Sequence, residues 1–140
     1  DLSAALTVDA VGEAAAVPAY DEIRGRVPEM YISLKPGITA SAEVGDEVIQ
    51  ALRRIIGPIA RPSYVWVTED LPKTRSGKIM RRVIAAISNF VDVGDTTTLA
   101  NPEVVEEIRQ QVQSAKVKDG TVPEGVPPDV IEEIRRFGEE

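Results

Sequence analysis

In "EVGDEVIQALRRIIGP", Val44, Val48, Leu52, Ile55 and Ile56 fall at i, i+4, i+8, i+11 and i+12. That spacing lays them along one stripe of a helix. A one-sided stripe needs an apolar surface to lie on, so the helix implies a partner layer. Gly57 and Pro58 follow at once, a left-handed stop and a residue that blocks continuation. Arg53 and Arg54 sit in the last turn, where positive charge complements the helix dipole.

Short β-forming runs supply the partner layer. "VGEAAAV" (11–17) reads as a buried strand, "DEIRG" (21–25) as a charged turn, and "VPEMYISL" (27–34) as a second strand closed by Pro36-Gly37. "SYVWVTE" (63–69) reads as a third strand, with aromatic and β-branched residues side by side. Residues 1–8 read as the end of a helix. "KIMRRVIAAISNF" (78–90) repeats Ile79, Val83, Ala86 and Ile87 at helical spacing, which places Gly77 and Lys78 where a loop meets a helix N-terminus. Strand, strand, helix, strand, helix with short connections predicts a small α+β domain. About three strands are covered by two amphipathic helices; strand neighbours are not fixed by the pattern.

Beyond the turn-rich "VGDTTTLANPEVVEEI", Asn101 fits an N-cap, Pro102 fits the first helical position, and a helix runs to about residue 115. "KVKDGTVPEGVPP" (116–128) has linker composition. "PDVIEEIRRFGEE" forms a short helix whose stripe of Val130, Ile131, Ile134 and Phe137 requires a surface to cover it. The expected division is a domain over residues 1–115 and a linker with a short acidic helical extension over 116–140.

Composition narrows the function. The chain has no cysteine and no histidine. Disulfides, thiolate chemistry, the usual zinc ligands and Ser-His or Cys-His catalytic pairs are therefore excluded. No apolar run approaches the roughly 20 residues that span a bilayer, and the lack of cysteine fits a cytoplasmic protein. The opening "DLSAAL" carries no methionine, as a piece of a longer chain would.

The net charge is −7, yet "LPKTRSGKIMRR" (71–82) carries Lys73, Arg75, Lys78, Arg81 and Arg82 and no acid. A positive island in an acidic chain suits a small anion better than nucleic acid, which usually meets a broad basic face. A helix N-terminus attracts anions, Gly77 permits close approach or positive φ, and Lys78 is a long, mobile point charge able to bridge a carboxylate and a phosphate. The phosphate-binding P-loop pattern fails, because position 72 is proline and isoleucine, not a hydroxyl residue, follows Lys78. A solvated charged hairpin leading into a helix accounts for the same charges without a ligand.

"LPKTRSGKIMRR" resembles the C-terminal signature of the AMP-forming acyl-CoA synthetases, its acetate-activating branch most closely. "VGEAAAVPAYDEIRG", "ALRRIIGPIARPSYVWVTEDLP" and "GDTTTLANPEVVEEI" extend the resemblance in order, over residues 2–108. "VPAYDE" departs from the family's Gly-x-Pro turn, and the chain after about residue 116 has no counterpart. The resemblance implies a mobile lid beside a larger N-terminal domain that holds ATP, magnesium and the acid, acetate in that branch. Lys78 assists acyl-AMP formation with loss of pyrophosphate. The lid then rotates, and Arg53 contacts a phosphate of CoA. Gly77 is implied beside Lys78 at the ligand. The family hinge falls just ahead of Asp1, so this chain holds half of a divided active site. Lys78 is also implied as an acetylation site, modified by a GNAT-type acetyltransferase and restored by a sirtuin, which makes a non-enzymatic role as acetyltransferase substrate the alternative. Arg75, Arg81 and Arg82 are expected at the surface or against a partner, Lys73 and Thr74 as shapers of the loop, and Ser76 as a helix cap.

Overall fold

The computed structural model describes residues 8–57 and 62–138. The helix end expected over residues 1–8 falls almost wholly outside them, as does Pro58. The elements are β1 (Val11–Asp21), β2 (Gly25–Leu34), α1 (Ala42–Ile55), β3 (Tyr64–Thr68), α2 (Arg81–Ser88), α3 (Glu103–Asp119) and α4 (Pro128–Arg135). The strands form one sheet in the order β1-β2-β3, and the fold is the expected small α+β arrangement. Among the described residues, no helix is long and apolar enough to cross a membrane.

The chain divides into two compact units. One holds the described residues up to Ala16 together with Pro28–Leu71; the other holds Val17–Val27 and the described residues from Pro72 onward. In the first unit β2 and β3 run parallel, with Glu29 opposite Tyr64 and Ser33 opposite Thr68. Parallel neighbours cannot be joined by a tight turn, so α1 serves as the crossover between them. Its stripe closes a core of Val11, Met30, Ile32, Leu34, Val48, Leu52 and Ile56. Ser41 caps the helix, its Oγ accepting from the Val44 N–H at 3.2 Å.

Two expectations for α1 are corrected. Ile55 is 47% exposed, because the chain turns extended at Ile56 and Ile56 alone enters the core. Gly57 is not left-handed: the helix stops through the extended Ile56, whose N–H still bonds Leu52 O.

β2 is buried on both faces from Glu29 to Leu34. On the face away from α1, Trp66 Nε1 donates to the buried Glu29 carboxylate at 2.9 Å. Tyr64 stacks on the Trp66 ring at 4.5 Å between centroids. The pairing gives a buried carboxylate the partner it requires.

In the second unit α2 is shorter than expected, opening with the exposed Arg81 and the half-buried Arg82. Val83, Ile84, Ala85, Ala86, Ile87 and Ser88 are all buried, so the helix reaches the surface at its two opening arginines. α3 and α4 pack against it. It ends in a Schellman arrangement, with Val91 N–H to Ala86 O and Phe90 N–H to Ile87 O, and Phe90 takes the left-handed conformation at φ +57°. Side chains satisfy the last carbonyls. Gln113 Nε2 donates to Ile87 O at 3.1 Å and Lys116 Nζ to Ser88 O at 2.7 Å. Lys116, read from composition as linker, is therefore a buried residue of α3, which continues to Asp119 before Gly120 turns left-handed at φ +71°. α4 covers its own stripe with Val130 and Ile134 buried, and its Glu133 pairs with Arg26.

Asn89, directly after α2, joins that helix to the outer edge of β1. Its Oδ1 accepts from Tyr20 N–H at 2.7 Å, and its Nδ2 donates to Pro18 O at 2.9 Å and Ala85 O at 2.8 Å. Tyr20 N–H thus points away from β2, and Pro18, two residues earlier, shares that orientation. Proline there loses no ladder bond, which is why β1 runs on through Pro18 instead of ending at Val17. Replacing Asn89 by alanine strands these buried groups, and we predict a loss of about 2–3 kcal/mol, read as a lower urea midpoint at unchanged slope.

Among the described residues, three carboxylates lie below their usual range. Asp21 is lowered by the Arg24 and Ile23 N–H groups, Asp95 by the Thr97 N–H and hydroxyl, and Glu106 by hydrogen bonding to Arg109. The folded chain holds these protons less tightly than the unfolded one, so their contribution is complete above the ordinary carboxylate pKa and is lost as pH falls from there through the lowered folded pKa. With no histidine to titrate, the melting temperature should be level from about pH 6 to 8 and drop between about pH 5 and 3, as measured by circular dichroism.

Candidate functional site

The basic stretch folds as a small hairpin in the second unit. Lys73 pairs antiparallel with Ile79, and Met80 N–H donates to Pro72 O at 2.8 Å. The turn is closed by Gly77 N–H to Thr74 O at 2.9 Å and by Thr74 N–H to Lys78 O at 2.8 Å. Gly77 sits at φ +90°, the left-handed position that a three-residue hairpin loop demands. A Cβ there would meet nothing within 4 Å, so backbone conformation, not crowding, is what selects glycine.

A second partner flanks the hairpin on its other side. Thr74 pairs with Leu99, Ala100 N–H donates to Lys73 O at 2.9 Å, and Lys73 N–H donates to Asn101 Oδ1 at 2.9 Å. Asn101 therefore braces the hairpin instead of capping α3, which starts behind Pro102 with no side-chain cap. Lys73 and Thr74 form the middle of this small three-part ladder.

Lys78 is not at a helix N-terminus. Pairing of residues 78–80 back onto 72–74 holds them out of helical geometry, so α2 begins only at Arg81. Ser76 does not cap α2 either; its Oγ lies 2.9 Å from Thr74 Oγ1. Lys78 N–H donates to that same Thr74 Oγ1 at 3.1 Å. Arg75, Ser76, Gly77 and Lys78 are exposed. The result is a rigid, two-sided backbone frame carrying a solvent-facing ammonium.

The other cations of the stretch divide. Arg82 donates to Val93 O at 2.6 Å and Asp95 O at 3.4 Å, holding the turn that follows α2. Arg81 lies 5.5 Å from the centre of the Phe137 ring, a cation–π contact with the end of the chain's last helical segment. Both arginines thus have contacts within their own unit, while Arg81 stays exposed, as expected, and Arg82 is half-buried.

Arg53 belongs to the first unit and is exposed in the last turn of α1. It borders a shallow depression whose other walls include Leu52, Ile56, Ser63 and Tyr64. An exposed guanidinium beside a shallow groove can accept a phosphate with bidentate geometry. Arg53 and Lys78 are thus carried by separate units. Among the described residues, no group of three or more acidic side chains could hold a metal ion.

Sequence reasoning missed Asn89, Lys116 and Glu29, the buried polar groups that organise the two units. A polar residue ending an apolar run, such as the Asn89 of "VIAAISN", was the available signal for the first. Glu29, the lone charge in the run "VPEMYISL", carried a signal of the same kind, whereas Lys116 sits among other charged residues and carried none.

Residues 3–78 match the family model for the AMP-binding enzyme C-terminal domain. An acetyl-coenzyme A synthetase of Rubrobacter xylanophilus is 45% identical over 115 residues, which is 81% of this chain and 18% of that protein. The acetyl-coenzyme A synthetase of Methanothrix thermoacetophila is 46% identical over 106 residues, 76% of this chain and 16% of that one. Among solved structures, a Brucella canis acyl-CoA synthetase superposes with TM-score 0.51 at 31% identity, over 62% of this chain and 16% of that chain. An anthranilate CoA ligase in complex with anthranoyl-AMP gives TM-score 0.51 at 26% identity, over 62% and 17%. The chain spans under a fifth of the length of each of these relatives.

Proposed function

Because the chain belongs to the AMP-binding enzyme C-terminal domain family, we propose that it is the mobile lid of an AMP-forming acetyl-CoA synthetase. In this reading it works beside a larger N-terminal domain that holds ATP, magnesium and acetate. The relatives' names supply the acetate assignment. The observation that carries the reading is Lys78, an exposed ammonium on a backbone-clamped hairpin in a stretch without acids.

Acyl-AMP formation brings a carboxylate against the α-phosphate of ATP, two anions that repel. The Lys78 ammonium has three donors on a four-carbon stem, enough to neutralise both at once. A fixed charge of this kind lowers the barrier because it is in place before the reaction starts. The carboxylate oxygen attacks phosphorus and pyrophosphate leaves, so Lys78 acts by charge alone. Gly77 lets the chain turn directly before it. In the second step the CoA thiol attacks the acyl carbon and AMP leaves. Arg53, on the other unit, holds a CoA phosphate in that step. The lid presents the two residues in turn.

The exposure of Lys78 favours a second role. An ammonium at a hairpin end is open to a GNAT-type acetyltransferase, and a sirtuin would restore it. Acetylation deletes the charge that the first step requires.

The chain can be joined behind the N-terminal domain of the Rubrobacter xylanophilus synthetase and each half-reaction timed. Lys78→Ala should cut acyl-AMP formation by on the order of 100-fold and leave thioester formation from supplied acetyl-AMP within about twofold. Equal loss in both steps would count against the role. Arg53→Ala should raise the KM for CoA by about tenfold with adenylation unchanged. An unaltered KM would return Arg53 to its helix-dipole role.

A further inference from the structure

We propose that Thr74 is the positioning residue for Lys78, fixing through its hydroxyl the point from which the ammonium is delivered; this rests on the role of Lys78 given above. Lysine has a long stem and many rotamers, so the place where its ammonium arrives depends first on the backbone that launches it. Both polar backbone groups of Lys78 end on Thr74. The Lys78 carbonyl accepts from Thr74 N–H at 2.8 Å, and the Lys78 N–H donates to Thr74 Oγ1 at 3.1 Å. The same Oγ1 lies 2.9 Å from Ser76 Oγ. A hydroxyl has one proton and two lone pairs, and these contacts engage it on both sides.

Thr74 is itself immobilised. Its backbone pairs with Leu99, and its neighbour Lys73 is bonded to Asn101 and Ala100. A β-branched side chain has few χ1 choices, so a fixed backbone at residue 74 also fixes where Oγ1 points. The chain of constraint runs from Leu99–Asn101 through Lys73 and Thr74 to Lys78. Both hydroxyl contacts stay inside the hairpin, so removing the hydroxyl should loosen the Lys78 launch point without touching the core.

The test uses the joined protein described above. Thr74→Val keeps the branched shape and removes the hydroxyl; Thr74→Ser keeps the hydroxyl. Thr74→Val should lower kcat for acyl-AMP formation by about 10- to 100-fold, the scale expected for displacement of a reacting group by about an ångström. KM for ATP and acetate, thioester formation from supplied acetyl-AMP, and the melting temperature should stay as in the parent. Thr74→Ser should recover most of the rate. In the 140-residue chain alone, Thr74→Val should speed hydrogen exchange at the Lys78 amide several-fold. A full adenylation rate in Thr74→Val, with Lys78→Ala inactive, would overturn the positioning role and leave Lys78 in place. Equal losses in both half-reactions, failure of serine to rescue, or an unchanged Lys78 amide would overturn it too. Full activity in Lys78→Ala would instead remove the reading on which it rests.

Discussion

Nine residues of hairpin have no core of their own, so residues 72–80 must take their order from backbone hydrogen bonds. Those bonds come from two sides: Ile79 and Met80 on one, Leu99 to Asn101 on the other. A hairpin paired on one edge alone is at best marginal in water. The second edge gives this one a fixed shape, and with it a fixed base for Lys78. The requirement also explains the hairpin's composition. Gly77 is there for φ, Thr74 for a hydroxyl that reaches the Lys78 N–H, and Asn101 for an amide oxygen that reaches Lys73.

The same dependence on buried polar partners recurs around α2. Where the end of a helix is enclosed, as Val83 to Ser88 are, its final carbonyls lie away from water and must be met by protein donors. Asn89, Gln113 and Lys116 meet them. Lys116 brings a positive charge to the negative end of the helix dipole, where it is most favourable. Phe90 accepts a left-handed φ that normally falls to glycine or asparagine, so the surrounding packing outweighs a local cost of order 1 kcal/mol.

What could be read from sequence follows from how local each signal is. The stripe of α1 and the β-forming runs are set by residues a few positions apart, and they placed three strands and the helix between the second and third; the strand order and the parallel crossover rest on distant residues and were not legible. The stripe of α4 was equally local, and Val130 and Ile134 are buried as it required. The start of α2 was misplaced because Ile79 has helical spacing to Val83, yet residues 78–80 pair with 72–74 instead. That pairing, and its buttress near Leu99, depend on residues far along the chain. Gly120 and the prolines after it dominated the reading of 116–128 as linker, although α3 continues to Asp119 and buries Lys116. For the candidate site, Arg53 was legible as a charge in the last turn of α1 and Lys78 as one of a basic stretch, although its expected place at a helix N-terminus was wrong. The hydroxyl that organises Lys78 was not legible, since a threonine in a loop carries no mark of what it will bond.

The division of the five cations bears on why the stretch stays so positive. Arg81 and Arg82 have contacts within their own unit, so their charges are partly answered at home. Lys78 and Arg75 face water, where a unit charge 4 Å away is worth only about 1 kcal/mol. Covering the same ammonium with a second protein body lowers the effective dielectric, and the identical pair is then worth about 4 kcal/mol. On the proposed reading this contrast is what a moving lid exploits. An ammonium left in water between steps is weakly attractive to anions and readily withdrawn. Enclosed over its reactants it becomes several-fold stronger without any change in its own structure. A stiff hairpin serves that cycle better than a flexible one, because the motion of the whole body then sets the field and none of the gain is lost in reordering the loop.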